Sequence, residues 1–304
     1  MPIRIPDDLP GRPTLEGEGV RVMDRSTAIR QDIRPLKVGP LNLMPNRVET
    51  EVQFARMLAG SPLQLDLTLV RLKTHQPTER SQPHLDAFYR DWDALRDQRF
   101  DGLVVTGAPL GMVPYEDIHY WEELKGFLEW TSTHVHSSLF VCWGAMAALH
   151  HFHGIDKFKL EKKAFGVFPH TNHQLRSPFL AGLGHEVPMP VSRWTSLRGA
   201  DFEDAEKLDV LLSSEVTGPG LIEEPAKRRL FMLNHLEYDR ATLREEYQRD
   251  LGRGEEPQLP AGYFPSDDPS QMPLHSWKPY GHLFFTNWVN EIYQTVPFDW
   301  TADK

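Results

Sequence analysis

A single cysteine, Cys142, stands among 304 residues, so the chain can build neither an internal disulfide framework nor a cysteine-rich zinc site. A reducing compartment, the cytoplasm, is the expected home. Basic charge is also scarce: 33 Lys and Arg against 43 Asp and Glu leave a formal charge of −10. Nucleic acids and anionic membranes recruit basic surfaces, so neither is an expected partner. No apolar run approaches the length of a membrane span, and Met1-Pro2-Ile3-Arg4-Ile5-Pro6-Asp7-Asp8 lacks the basic-then-apolar build of a signal peptide. Phosphate loops of the GxGxxG or GxxxxGK[ST] type are missing, as is an HExxH zinc pair. His150, His151 and His153 do cluster, but at a helix end that favours cations by itself, so no metal is expected.

What is present suffices for a large core: 40% of residues are hydrophobic and 11% aromatic. Residues 1–34, with several prolines and glycines and short apolar pieces such as Val20-Arg21-Val22-Met23, read as an N-terminal arm lying on the domain or on a partner subunit. From there strand and helix patterns alternate: strand 35–43 and helix 47–58, strand 63–70 and helix 85–95, strand 100–106 and helix 115–133. Such alternation predicts an α/β fold, a mostly parallel central sheet with helices on both faces. Ligands bind past the carboxyl ends of such strands, where Gly107 to Gly111 and Cys142 would lie. Past His153, short strands at 158–167, 187–194, 208–213, 220–224 and 229–233 lead to Asn234-His235-Leu236-Glu237, then a helix at 240–251, a proline-rich stretch and a final helix at 283–293. No linker is evident, so 35–304 reads as a single domain with a C-terminal extension.

Chemistry concentrates where Leu139-Phe140-Val141 turns into a helix beginning near Trp143. A sharp strand-to-helix corner lifts one side chain above the sheet and aims the helix's first amides at whatever that side chain attacks. Cys142 occupies the corner, which makes it a nucleophile-elbow cysteine; the alternative is a small buried hydrophobe. Among fourteen histidines, His235 is distinguished by following a strand, and Glu237 lies on the same side if the backbone is extended. An imidazole there could serve as base and the carboxylate could orient it. Otherwise His235 is a loop histidine and Glu237 a solvated carboxylate.

Ile33-Arg34-Pro35-Leu36-Lys37, Leu41-Asn42-Leu43-Met44-Pro45, Thr106-Gly107-Ala108-Pro109, Phe140-Val141-Cys142-Trp143, His235 with Glu237-Tyr238-Asp239, Tyr263-Phe264-Pro265 and Phe285-Thr286-Asn287-Trp288 follow one another across nearly the whole chain. In that order they resemble the homoserine O-acyltransferases of methionine biosynthesis, of the homoserine O-succinyltransferase type. The resemblance implies a class I glutamine amidotransferase-like fold and acyl transfer from an acyl-CoA, a substrate and not a cofactor, to L-homoserine through an acyl-cysteine. It makes Cys142 the nucleophile, His235 the base and Glu237 its partner, places Lys163 and Arg249 on the amino acid, and links Ser192 to substrate choice. It further implies an oxyanion site from the amides of Trp143 and Gly111, and a homodimer. Glycine at 111 resembles the succinyl-transferring members, whose open pocket admits the longer group where a glutamate would repel its carboxylate. Gly111 can also be read as a turn glycine with positive φ. Trp143-Gly144-Ala145-Met146, Val191-Ser192-Arg193-Trp194-Thr195 and Asn234-His235-Leu236-Glu237-Tyr238 resemble the acetyl branch instead. A cysteine hydrolase or amidotransferase of the same fold, or a silent scaffold, are the other classes compatible with these residues.

Overall fold

The computed structural model describes residues 3–6, 8–18, 22–23, 34–75, 81–203, 205–254, 256–297 and 299–300. Its strands are β1 (Ile3–Arg4), β2 (Val22–Met23), β3 (Leu36–Leu41), β4 (Leu65–Leu67), β5 (Val70–Arg71), β6 (Arg90–Asp91), β7 (Phe100–Val105), β8 (Val135–Val141), β9 (Phe158–Asn172), β10 (Glu186–Ser196), β11 (Asp209–Ser214), β12 (Gly218–Glu224) and β13 (Arg229–Met232). The helices are α1 (Arg12–Gly17), α2 (Arg47–Leu58), α3 (Gln82–Phe88), α4 (Trp121–His134), α5 (Trp143–His153), α6 (Ala200–Glu203), α7 (Thr242–Gly252) and α8 (Lys278–Thr295).

Every residue of β7 and β8 is buried, as in strands covered on both sides. Alternate side chains supply two cores. Val104, Leu139, Val141, Leu230 and Met232 pack with Phe54 and Leu58 of α2 and Phe284, Phe285 and Trp288 of α8. Leu103, Val105, Phe140 and Phe231 pack with Leu124 and Phe127 of α4 and Met146 and Leu149 of α5. The sheet order is β10-β9-β11-β12-β13-β8-β7-β3-β4-β1-β2. From β13 to β2 every pairing is parallel, while β10 to β13 form an antiparallel wing. The parallel sheet with helices on both faces is therefore the architecture found.

Several boundaries differ from the sequence expectations. The strand expected at 63–70 is broken into β4 and β5. The helix expected at 85–95 stops at Phe88: Tyr89 turns extended, β6 follows, and Trp92 and Leu95 reach the core from a 3-10 turn. A short turn and a helix share the apolar spacing that suggested one continuous element. β9 and β10 form a hairpin longer than the apolar pattern marked, because β9 continues past Val167 through Phe168-Pro169-His170-Thr171-Asn172, where the buried residues, His170 and Asn172, are polar. The last helix starts at Lys278, since Pro279 is tolerated in a first turn. Of residues 1–34, those described lie against the sheet, with β1 beside β4 and Ile5, Leu9 and Leu15 buried. Residues 24–33 fall outside the described residues.

Candidate active site

β8 ends at Val141 and α5 begins at Trp143, leaving Cys142 alone at the corner with φ 50° and ψ −116°. These angles match the first corner of a type II′ turn, which glycine ordinarily fills. The corner is held by the Cys142 N–H, which donates to the Met232 carbonyl at 2.7 Å, and by Ala145 and Met146, whose amides reach the Cys142 carbonyl at 3.1 Å. The first amides of α5 have no preceding helical carbonyl and are available to an oxyanion beside the sulfur. The loop from Gly107 passes against the same atom: a Cβ on Gly107 would lie 3.2 Å from the Cys142 Cβ and 3.7 Å from Sγ.

Gly144 lets the helix press onto β7, because a Cβ there would sit 2.6 Å from the Thr106 carbonyl oxygen and 3.0 Å from that of Val105. Backbone cannot yield as a side-chain tip does. Gly144→Ala is therefore expected to destabilise the protein by about 1–3 kcal/mol, the usual range for overpacking. Urea unfolding checks this; a variant as stable as the parent would contradict the tight elbow.

His235 follows β13 and is fixed by its backbone N–H, which donates to the Pro190 carbonyl of β10 at 3.0 Å. Its Nδ1 lies 2.6 Å from Glu237 Oε1, and its ring stacks on Tyr238 at 4.0 Å with 13° between the planes. Both His235 and Glu237 are buried. Glu237 accepts a hydrogen bond from Nδ1–H, which leaves Nε2 as the proton-free nitrogen of the neutral ring. Nε2 is buried and closes no hydrogen bond of ordinary geometry among the described residues, while the Cys142 side chain is near enough to act on it when the pair ionises. Burial opposes the imidazolium, but Glu237 and then an ionised Cys142 outweigh it and hold His235 up to about 10.

The other residues singled out from the sequence fall into two groups. Lys163 on β9 and Ser192 on β10 converge on a carboxylate of α7 that the sequence reading did not select, Glu246: Ser192 Oγ donates to Oε2 at 2.5 Å and Lys163 Nζ lies 3.3 Å from it. Tyr238 connects this group to the stacked histidine, its hydroxyl 3.5 Å from Glu246 Oε1. Lys163 also lies 3.5 Å from Asp250, which accepts from Arg249 Nε at 2.9 Å; the Arg249 side chain is 49% exposed. The second group surrounds position 111. Gly111 does not have positive φ, so the turn-glycine reading fails. A Cβ there would lie 2.9 Å from Thr195 Oγ1, so the position faces the hydroxyl of β10 and not open space. Lys157, also missed from the sequence, ties this loop down by donating to the carbonyls of Val113 at 2.5 Å and Leu110 at 3.3 Å. Burial lowers its pKa to about 8. The clustered histidines turn to separate carboxylates, His150 to Asp156, His151 to Glu129 and His153 to Glu224. Among the described residues no group of three such side chains could hold a metal, and no helix is long and apolar enough to cross a membrane.

A family model described as homoserine O-succinyltransferase matches residues 2–298. The chain belongs to this family. Among curated relatives, a homoserine O-acetyltransferase of Hyphomonas neptunium is 52% identical over 298 residues, covering 98% of each chain. Another, of Rhizorhabdus wittichii, is 54% identical over 302 residues, 99% of this chain and 94% of its own. Family and relatives thus carry different acyl groups in their names. Among solved structures, a glutamine amidotransferase of Thermotoga maritima superposes with a TM-score of 0.56 at 9% identity, covering 86% of this chain and all of the other. At that identity the likeness concerns the fold alone, and it is the glutamine amidotransferase-like fold that the sequence resemblance implied.

Proposed function

We propose that this protein, a homoserine O-acyltransferase, moves a succinyl group from succinyl-CoA to the hydroxyl of L-homoserine through an acyl-cysteine at Cys142, giving O-succinyl-L-homoserine for methionine biosynthesis. The observation that carries the covalent route is the buried His235–Glu237 pair, 2.6 Å apart, beside the strained corner at Cys142. His235 takes the thiol proton, and the sulfur attacks the thioester carbonyl. The amides of Trp143 and Gly111 stabilise the oxyanion, and CoA departs with the proton from Nε2. Homoserine then enters, His235 removes its hydroxyl proton, the oxygen attacks the acyl-cysteine, and the sulfur leaves as thiolate for the next turnover.

The amino acid fits the cluster on β9, β10 and α7. Its α-carboxylate calls for the ammonium of Lys163 and the guanidinium of Arg249, and its ammonium for Glu246, with Ser192 between them. Tyr238 links this cluster to the base, stacking on His235 with its hydroxyl 3.5 Å from Glu246 Oε1.

For the donor, the supporting feature is Gly111, which places no side chain and no negative charge beside the elbow loop. The names of the relatives favour acetyl-CoA as the second reading. An assay of homoserine with each acyl-CoA decides between them: the expected result is a higher kcat/KM with succinyl-CoA, and a preference for acetyl-CoA would overturn the donor assignment. Gly111→Glu should move the succinyl-to-acetyl ratio down by at least about tenfold, since facing like charges cost several kcal/mol and 1.4 kcal/mol is a factor of ten. Thr195 must turn its hydroxyl aside to admit the new Cβ, so some loss with both donors is expected as well. An unchanged ratio would count against position 111.

A further inference from the structure

Arg193 follows Ser192 on β10 and points to a role that none of the residues above fills. It is 5% exposed, and its hydrogen bonds go to neutral acceptors: Nη1 donates to the Leu233 carbonyl at 3.4 Å and to Asn234 Oδ1, and Nη2 to the Thr217 carbonyl at 2.7 Å. Nε is buried with no partner, and among the described residues no carboxylate pairs with the guanidinium. A buried cation without an anion is costly to keep, so a purely structural clamp would be better made by a neutral donor.

The surroundings show which anion it serves. Leu233 and Asn234, held by Arg193, lead directly into His235, and the preceding Met232 accepts the Cys142 N–H. Charge on the Cys142 sulfur is felt by His235, Tyr238 and Arg193. Tyr238 is kept protonated by burial and by Glu246, so it contributes no charge. Burial lowers Arg193 to about 10, and the opposing influence is the ionised Cys142. The proton on His235 comes and goes during acyl transfer; that on Arg193 does not.

We propose that Arg193 is a positioning residue that holds the turn carrying His235 and supplies the fixed counter-charge for the thiolate of Cys142. The inference rests on the acyl-cysteine route above. Since Cys142 is the only cysteine, the rate of iodoacetamide alkylation reports it alone. Arg193→Gln keeps an amide donor and removes the charge. It is expected to slow alkylation at neutral pH about tenfold and to raise the midpoint of the alkylation pH profile by about one unit, one unit being a tenfold change in ionised fraction. Its kcat should fall in parallel, with KM for homoserine changed by no more than about twofold, the pattern of a contact made in the transition state. Arg193→Lys, which keeps the charge, should recover most of both rates. Because Arg193→Gln can also fail to fold, Asn234→Asp provides a second route: it sets a carboxylate against the intact guanidinium and should likewise slow alkylation. A folded Arg193→Gln protein or an Asn234→Asp protein with the parental pH profile overturns the proposal, as does Arg193→Lys no faster than Arg193→Gln. If instead the parent resists alkylation and Cys142→Ala still turns over, the acyl-cysteine route itself falls, and this inference with it.

Discussion

Cys142→Ala is expected to reduce kcat by at least about four orders of magnitude, since removing the nucleophile of a catalytic unit costs about as much as removing the whole unit. Intact-protein mass after mixing with succinyl-CoA should show one added succinyl group on the parent and none on the variant. Equal labelling of the variant would place the acyl group elsewhere and end the scheme. The corner also separates chemistry from stability. At φ 50° and ψ −116° a side chain is held where glycine is at ease, a strain of order 1–3 kcal/mol. In ordinary secondary structure glycine is less stable than alanine. Here the order should reverse, with Cys142→Gly melting above Cys142→Ala and both inactive. An alanine variant that melts higher would mean that the corner is not strained, and that the geometry presenting the sulfur has another origin.

The elbow and the parallel half of the sheet were legible because their signals are local. Leu139-Phe140-Val141 followed by small residues can hardly be anything but a buried strand entering a tightly packed helix, and Gly144 against the Thr106 carbonyl shows why the small residues are there. The antiparallel wing was harder to read to its full length, since the end of β9 buries the polar side chains of His170 and Asn172 and so shows no apolar alternation. The partners of the site were invisible for a different reason. Glu246 becomes significant only when Ser192 and Lys163, 54 and 83 residues away in the chain, meet it. Lys157 acts through two carbonyls of a loop more than 40 residues earlier. Arg193 matters because of what it lacks, a carboxylate, and a missing partner leaves no mark in a sequence. Gly111 was noticed, but its neighbour Thr195 comes from β10, 84 residues later in the chain.

Glu237→Gln is expected to lower kcat by roughly four orders of magnitude with little change in fold, the scale seen when the orienting carboxylate of a triad becomes an amide. Its oxygen can still accept from His235 Nδ1, so the contact survives; what is lost is the charge and the fixed tautomer, since the amide can equally present its NH₂. Glu237 Oε2 is buried without a partner, which leaves the imidazolium as the group its charge serves. The same substitution has a pH signature. His235 is raised from 6.5 to about 10 in the folded protein, with Glu237 the first influence overcoming burial. A raised pKa contributes stability that is fully present below the unfolded value, about 6.5, and is lost as pH rises towards about 10. Urea midpoints should therefore separate parent from variant most at about pH 6 and converge as pH approaches about 10. His75, His136, His170 and His275 have the opposite sign: burial lowers each to about 4, so their contribution is present above about 6.5 and is lost on acidification towards 4. Parent and variant share those four, so they cancel in the difference. A stability gap that stayed constant across this range, or widened with rising pH, would show that Glu237 does not hold the proton on His235, and the base assigned to the reaction would lose its support.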